Sequence, residues 1–120
     1  MAKILIIDDE QLTVDLLTIY VELIGHQALS ALSGRQAWDK LAYEEPDAVL
    51  LDIMLPDDSG LDICRKMRSE PNTKDLPIIM ISAYSPPMTA EAKEAGANDY
   101  LAKPIRMDML KKALEEAGVQ

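Results

Sequence analysis

The sequence is poor in residues that form cross-links or soft metal sites, with one cysteine and one histidine among 120 residues. The single cysteine, Cys64, excludes an internal disulfide and is compatible with a reducing compartment. Together with the one histidine, His26, it cannot supply the ligand cluster of a zinc site. No apolar run approaches the roughly 18 residues of a membrane span, and the N-terminus lacks a signal-peptide pattern. We therefore expect a cytoplasmic protein with no membrane partner.

Basic residues are also few: 12 lysines and arginines against 21 aspartates and glutamates give a net charge of −9. This excess of negative charge argues against nonspecific binding to nucleic acid or anionic lipid, and it is compatible with a bound cation or a basic partner. Low-complexity segments and long linkers are absent, and the length suits one domain with a single core. We expect one domain over residues 1–120.

Short apolar runs alternate along the chain with segments of helical periodicity. Runs that are apolar at every position indicate strands buried on both faces, as in a parallel sheet covered by helices. The predicted strands are residues 3–7, 27–31, 48–51, 77–82 and 99–102. Helices are predicted between them, at 11–24 (from Leu12, Leu16, Ile19, Tyr20 and Leu23), 34–45, 60–70, 89–95 and 107–117. The alternation predicts an α/β fold with a doubly wound five-stranded parallel sheet and right-handed crossovers.

Polar side chains stand at the ends of the four clearest strands: Asp8 and Asp9, then Asp52, Ser82 and Lys103. Parallel strands deliver their carboxyl ends to one edge of the sheet, where ligands bind in open α/β folds. Three carboxylates there would repel one another unless a cation lay between them, and oxygen-only ligation suits Mg²⁺. A hydroxyl and an ammonium beside them suit an arriving phosphoryl group, which Asp52, between the others, could attack to form an aspartyl-phosphate.

Motifs along the whole chain resemble those of receiver domains of two-component response regulators, the CheY-like family. They are IIDDE at 6–10, LLDIMLPDDSG at 50–60, ISA at 81–83, GANDY at 96–100 and KP at 103–104. The resemblance implies a flavodoxin-like sheet with strand order 2-1-3-4-5 and Asp52 as phosphoacceptor. It also implies a Mg²⁺ site in which Asp9 is a direct ligand, Asp8 acts mainly through water, and the Met54 backbone carbonyl completes the protein ligands.

The resemblance further implies a switch. Ser82 would report phosphorylation, Lys103 would be the counter-ion of the phosphate, and Tyr100 would turn inward when Ser82 moves. Met54 and Tyr84 lie at positions that vary in the family and should tune the lifetime of the phosphoryl group. The Lys103–Pro104 bond is expected to be cis.

On this basis the chain is expected to be a phosphorylation-dependent signalling switch, not a turnover enzyme beyond its own phosphoryl transfer and slow autodephosphorylation. Its phosphoryl donor would be a histidine kinase or a histidine phosphotransfer protein. A downstream protein, or a second copy of the chain, would dock on the face formed by residues 89–117. No direct nucleic-acid partner is expected, and no output domain follows the last predicted helix.

Two other functions use similar residues. A haloacid-dehalogenase-type phosphatase requires a second acid two residues after its nucleophile, where this chain has Met54. It also requires acids near the final strand, and residues 100–103 of this chain include none. A flavodoxin-like mononucleotide binder requires a phosphate loop, whereas the first strand is followed by Asp8, Asp9 and Glu10, which repel phosphate. Turnover of a phosphate ester would favour the first alternative, and a bound flavin would favour the second.

Three residues outside the strand ends have simpler interpretations. His26 follows Gly25 at a predicted helix end, which favours a capping or surface role over a phosphorelay role. Asp57 and Asp58 are predicted to serve in a solvated loop and at a helix N-terminus, not as metal ligands.

Overall fold

The computed structural model describes all residues from 1 to 120. Five strands alternate with five helices: β1 (Lys3–Ile7), α1 (Gln11–Ile24), β2 (Gln27–Ala31), α2 (Gly34–Glu44), β3 (Ala48–Asp52), α3 (Gly60–Ser69), β4 (Ile78–Ser82), α4 (Thr89–Ala95), β5 (Asp99–Ala102) and α5 (Met107–Glu116). The strands form one parallel sheet in the order β2-β1-β3-β4-β5. The predicted fold class and strand order are therefore confirmed.

The core has two layers because helices cover both faces of the sheet. Side chains of β1 alternate between them: Leu5 and Ile7 join one cluster of 17 buried residues, and Ile4 and Ile6 join the other, of 16. The central strands β3 and β4 are buried at every position, including Asp52 and Ser82 at their ends, and the apolar runs before these two residues predict this burial. The core thus fixes the sheet on which the strand-end residues stand.

Helix α1 has two apolar faces, and the residues that predicted it lie mostly on the exposed one. Leu12, Leu16, Ile19 and Leu23 are 79, 40, 54 and 69% exposed, whereas Val14, Leu17 and Val21 are buried. Both sets recur at helical spacing, so the sequence predicts the helix correctly without showing which face packs on the sheet.

Serine and glycine residues cap three of the helix ends. Ser33 Oγ accepts the Gln36 N–H at 3.2 Å at the start of α2, and Ser59 Oγ accepts the Leu61 N–H at 3.2 Å at the start of α3. Gly25 ends α1 with φ at 110°, a conformation that favours glycine. The shortest helix, α4, buries Ala92 and Ala95 and has no side-chain cap.

His26 takes part in the end of α1 through its backbone, since its N–H donates to the Val21 carbonyl at 3.0 Å. Its side chain, however, is buried and not on the surface, and its Nδ1 accepts the Ala2 N–H at 3.1 Å. This histidine ties the N-terminal residues to the turn after α1.

Two peptide bonds are cis. The Lys103–Pro104 bond was expected to be so, and this is confirmed. The Ser85–Pro86 bond, in the loop between β4 and α4, is also cis and was not predicted. None of the helices has both the length and the apolar character needed to cross a membrane.

Candidate functional site

The predicted strand-end residues meet at the carboxyl edge of the sheet. Asp8, Asp9, Asp52, Ser82 and Lys103 line one open cavity of about 420 Å³. Its other lining residues are Glu10, Met54, Ala83, Tyr84 and Ser85, of which only Met54 and Tyr84 were assigned a role from the sequence. All five residues assigned to the strand ends are therefore brought together.

The central strands place Asp52 and Ser82 at the floor of this cavity. Asp52 is the last residue of β3, pairs with Ile81 of β4, and is 5% exposed. Ser82 ends β4 and is 1% exposed, and Asp8, directly after β1, is fully buried. Asp9 is exposed, so one carboxylate of the group faces the solvent from which a cation would enter.

The three carboxylates are close enough to share a cation. One oxygen from each of Asp8, Asp9 and Asp52 lies within 4.8 Å of the other two. Lys103 Nζ lies 2.7 Å from Asp8 Oδ2 and 3.4 Å from Asp52 Oδ2, so one ammonium balances part of their charge. A donor set of carboxylate oxygens with no histidine or cysteine fits a hard divalent cation such as Mg²⁺.

Burial changes the acidity of the central groups. Desolvation, together with the negative charge of Asp8, raises the pKa of Asp52 to about 6, although the Lys103 ammonium and the Met54 N–H act in the opposite direction. Burial alone would lower the pKa of Lys103, but its hydrogen bond to Asp8 and the charges of Asp52 and Asp8 outweigh burial and raise it. Without a bound cation, ionisation of Asp52 is therefore unfavourable relative to a carboxylate in water, whereas Lys103 stays charged.

The loop after Asp52 folds back tightly on the strand end. The Met54 N–H donates to Asp52 Oδ1 at 3.4 Å, and the Gly60 N–H donates to the Ile53 carbonyl at 2.7 Å. A Cβ atom on Gly60 would lie 2.0 Å from the Asp52 carbonyl oxygen, so only glycine fits here. The requirement for glycine at position 60 has no local signal in the sequence, because the contact forms only when α3 packs on the end of β3.

Ser82 and Tyr100 lie on neighbouring strands but in different surroundings. Ser82 Oγ accepts the Tyr84 N–H at 3.0 Å, which leaves the hydroxyl hydrogen free to donate. Tyr100 is half-buried outside the cavity, and its hydroxyl accepts the Met88 N–H at 3.1 Å at the start of α4. Tyr100 is therefore hydrogen-bonded to the helix whose position the predicted switch would change.

Asp57 and Asp58 lie outside the metal cluster, as predicted. Asp58 Oδ1 accepts the N–H of its neighbour Ser59 at 2.8 Å. Asp57 acts at a helix N-terminus, but the helix is α2 and not the adjacent α3: its carboxylate accepts the N–H groups of Gly34 and Arg35. Nothing local in the sequence indicates this partner.

Comparison with known proteins agrees with this geometry. The family model of the response regulator receiver domain matches residues 4–115. Two curated relatives match over 109 residues, or 90% of this chain: the response regulator MprA of Mycolicibacterium vanbaalenii at 38% identity, and the DNA-binding dual master transcriptional regulator RpaA of Synechocystis sp. at 33%. The matches cover 46% and 45% of those proteins, so the chain spans less than half of their length.

Solved structures show the same fold. The CheY-like response regulator receiver domain from Methylobacillus flagellatus superposes with a TM-score of 0.87 at 30% identity, covering 98% of both chains. The chemotaxis protein CheY4 of Vibrio cholerae superposes with a TM-score of 0.88 at 28% identity, also covering 98% of both chains.

The chain belongs to the response regulator receiver domain family. Members of this family are signalling domains of two-component systems that work as phosphoacceptor switches, and the cluster of Asp8, Asp9 and Asp52 lies where the fold binds ligands. Family membership favours such a switch over the phosphatase and the mononucleotide binder.

Proposed function

We propose that Asp52 is the phosphoacceptor of this receiver domain and that residues 1–120 act as one phosphorylation-dependent module. The observation that carries the proposal is the convergence on Asp52. Carboxylate oxygens of Asp8 and Asp9 lie within 4.8 Å of an Asp52 carboxylate oxygen, and Lys103 Nζ lies 3.4 Å from Asp52 Oδ2. A buried carboxylate between a cation site and an ammonium is well placed to attack a phosphoryl group.

The protein ligands of the cation would be Asp8, acting mainly through water, Asp9, Asp52 and the backbone carbonyl of Met54. When bound, Mg²⁺ would offset the negative charge that builds up between the carboxylate and the phosphoryl oxygens. Because Asp9 is exposed and the cavity is open, the site would keep several waters, and we expect sub-millimolar to millimolar affinity.

In the transfer step, a carboxylate oxygen of Asp52 forms a bond to phosphorus as the N–P bond of a phosphohistidine breaks. The electron pair of that bond stays on the imidazole nitrogen, which a proton from solvent neutralises. The donor would accordingly be a histidine kinase or a histidine phosphotransfer protein. Lys103 would move from carboxylate towards phosphoryl oxygens, and Ser82 would donate its free hydroxyl hydrogen to one of them.

The signal would then pass to α4 through Ser82 and Tyr100. A swing of the Ser82 side chain towards the phosphoryl group would lengthen its bond from the Tyr84 N–H and so would loosen the loop between β4 and α4. Tyr100 is hydrogen-bonded to Met88 at the other end of that loop, so an inward turn of its ring would release the start of α4. A seven-residue helix that buries only Ala92 and Ala95 costs little to move.

The surface so altered is the face formed by α4, β5 and α5, residues 89–117. A downstream protein or a second copy of the chain would dock there in the phosphorylated state. The chain would thus be a stoichiometric regulator whose catalysis is limited to its own phosphorylation and slow autodephosphorylation.

The experiment is incubation with a small acyl phosphate donor and Mg²⁺, followed by intact mass measurement. We expect one added phosphoryl group, lost on treatment with hydroxylamine and absent in Asp52→Asn or in excess EDTA. Asp47→Asn, at the opposite end of the β3 region, should react like the wild type. Full reaction of Asp52→Asn would overturn the assignment, and repeated turnover of a phosphate ester would favour the phosphatase instead.

A further inference from the structure

Asp57 links the loop between β3 and α3 to a distant part of the chain. Its Oδ1 accepts the Gly34 N–H at 2.8 Å and its Oδ2 accepts the Arg35 N–H at 3.0 Å. These are the first two residues of α2, more than 20 positions away in sequence. Both oxygens of one exposed carboxylate are thus used to hold the loop against another helix.

The loop is otherwise closed on itself. Met54 pairs with Ser59 in an isolated antiparallel bridge, and the Gly60 N–H is bonded to the Ile53 carbonyl at 2.7 Å. Asp57 lies at the tip between the two bridged residues. Only Leu55 and Pro56 separate Asp57 from Met54, so the bonds from Asp57 to α2 hold a loop that includes the Met54 peptide.

The loop packs closely against the start of α2, and α2 is already capped by another residue. A Cβ atom on Gly34 would lie 3.2 Å from Asp57 Oδ1 and 3.1 Å from Ile63 Cδ1, so α2 begins directly against the loop and α3. The helix has its own capping residue, Ser33, which accepts the Gln36 N–H. Asp57 therefore adds two hydrogen bonds to a helix that already has a cap.

We propose that Asp57 is a positioning residue of the metal site. By binding the first two N–H groups of α2, it holds the loop in the position from which the Met54 carbonyl would complete the Mg²⁺ ligands. The inference rests on the proposed function, and it assigns to Asp57 a role that is neither metal ligation nor reaction with phosphate.

The test compares Mg²⁺ affinity by calorimetry in variants that separate position from capping and from charge. Asp57→Ala should bind Mg²⁺ about tenfold more weakly, the lower end of what loss of an outer-shell partner costs. The Mg²⁺ affinity of Asp57→Asn should lie between those of the wild type and Asp57→Ala, because the two N–H groups bond to different oxygens and the asparagine NH₂ group that replaces one of them cannot accept. Ser33→Ala removes a hydrogen bond from the same helix end, and Asp58→Asn removes a charge from the same loop; both should bind like the wild type.

A second measurement does not involve the metal. Amide exchange of Met54 and Gly60 in EDTA should become faster in Asp57→Ala and stay unchanged in Ser33→Ala. If Asp57→Ala matches Ser33→Ala in both measurements, Asp57 only caps α2 and the inference is wrong.

Equal weakening of Mg²⁺ binding in Asp57→Ala and Asp58→Asn would show a charge effect and would also overturn the inference. Absence of Mg²⁺ binding to the wild type would instead contradict the proposed function. The exchange comparison would still decide whether Asp57 holds the loop.

Discussion

Replacing Asp52 with asparagine should stabilise the metal-free protein at neutral pH. The carboxylate is 5% exposed, and its pKa is raised from 3.8 to about 6, first by burial and then by the charge of Asp8. That difference means that ionisation of Asp52 lowers the free energy of unfolding by about 3 kcal/mol. Asparagine fills the same space without a charge.

The pH dependence follows from the direction of the change. A group whose folded pKa is raised contributes stability that is fully present below the unfolded pKa and lost as the pH rises through the folded pKa. The wild type should therefore lose stability between about pH 4 and pH 6 relative to Asp52→Asn. The advantage of the variant should be complete above about pH 6 and absent below about pH 4.

The assay is thermal or urea denaturation in EDTA over this pH range. For a chain of this size a gain of 3 kcal/mol corresponds to a rise in Tm of roughly 10 °C. Asp9→Asn is the matched control: it removes a charge from the same cluster, but from an exposed side chain, so its gain should be much smaller. Mg²⁺ should reduce the advantage of the variant by about half, because binding at ten times Kd stabilises the wild type by about 1.4 kcal/mol and the variant hardly at all.

If Asp52→Asn is no more stable than the wild type in EDTA at pH 7.5, burial does not raise the free energy of the ionised carboxylate. An equal gain in Asp9→Asn would show that repulsion within the cluster, and not burial, is the cause.

Three further predictions concern the loop, the core and the switch. Gly60→Ala should destabilise the protein by about 1–3 kcal/mol and slow phosphorylation, because its Cβ would lie 2.0 Å from a β3 carbonyl oxygen; normal phosphorylation would show that the loop adapts. Leu17→Ala should cost about 2–5 kcal/mol in urea denaturation, whereas Leu12→Ala on the exposed face of α1 should cost less than about 0.5 kcal/mol; similar costs would contradict the packing. Ser82→Ala should still accept phosphate but lose the phosphorylation-dependent change in amide exchange over residues 89–117, and an unchanged exchange pattern would place the switch elsewhere.

The fold could be predicted from the sequence because its strands carry strong local signals. The residues of β3 and β4 before Asp52 and Ser82 are all apolar, and both strands are buried throughout. The edge strands β2 and β5 are only partly buried, and their sequences are correspondingly mixed. The order of the strands came from the family resemblance and not from these patterns, since no local signal tells which strands are neighbours.

The site could be predicted where a residue follows a strand, and not where it depends on packing between elements. Asp8, Asp52 and Ser82 were found because parallel strands end at one edge. The bonds from Asp57 to α2 join residues more than 20 positions apart, and the close contact of Gly60 with Asp52 forms only when α3 packs on the end of β3, so neither has a local signal in the sequence. The sequence likewise does not show which of the two apolar faces of α1 is buried, because that depends on how the helix packs on the sheet.

The central claim is that one carboxylate accepts the phosphoryl group, and borohydride reduction tests it residue by residue. An aspartyl-phosphate is reduced to homoserine, so the protein would be treated with an acyl phosphate donor and Mg²⁺, reduced, digested and sequenced by mass spectrometry. We predict homoserine at position 52 alone, dependent on Mg²⁺ and absent after EDTA. Homoserine at Asp8, Asp9 or Asp57, or a stable phosphoryl group on another residue with Asp52 unmodified, would contradict the account.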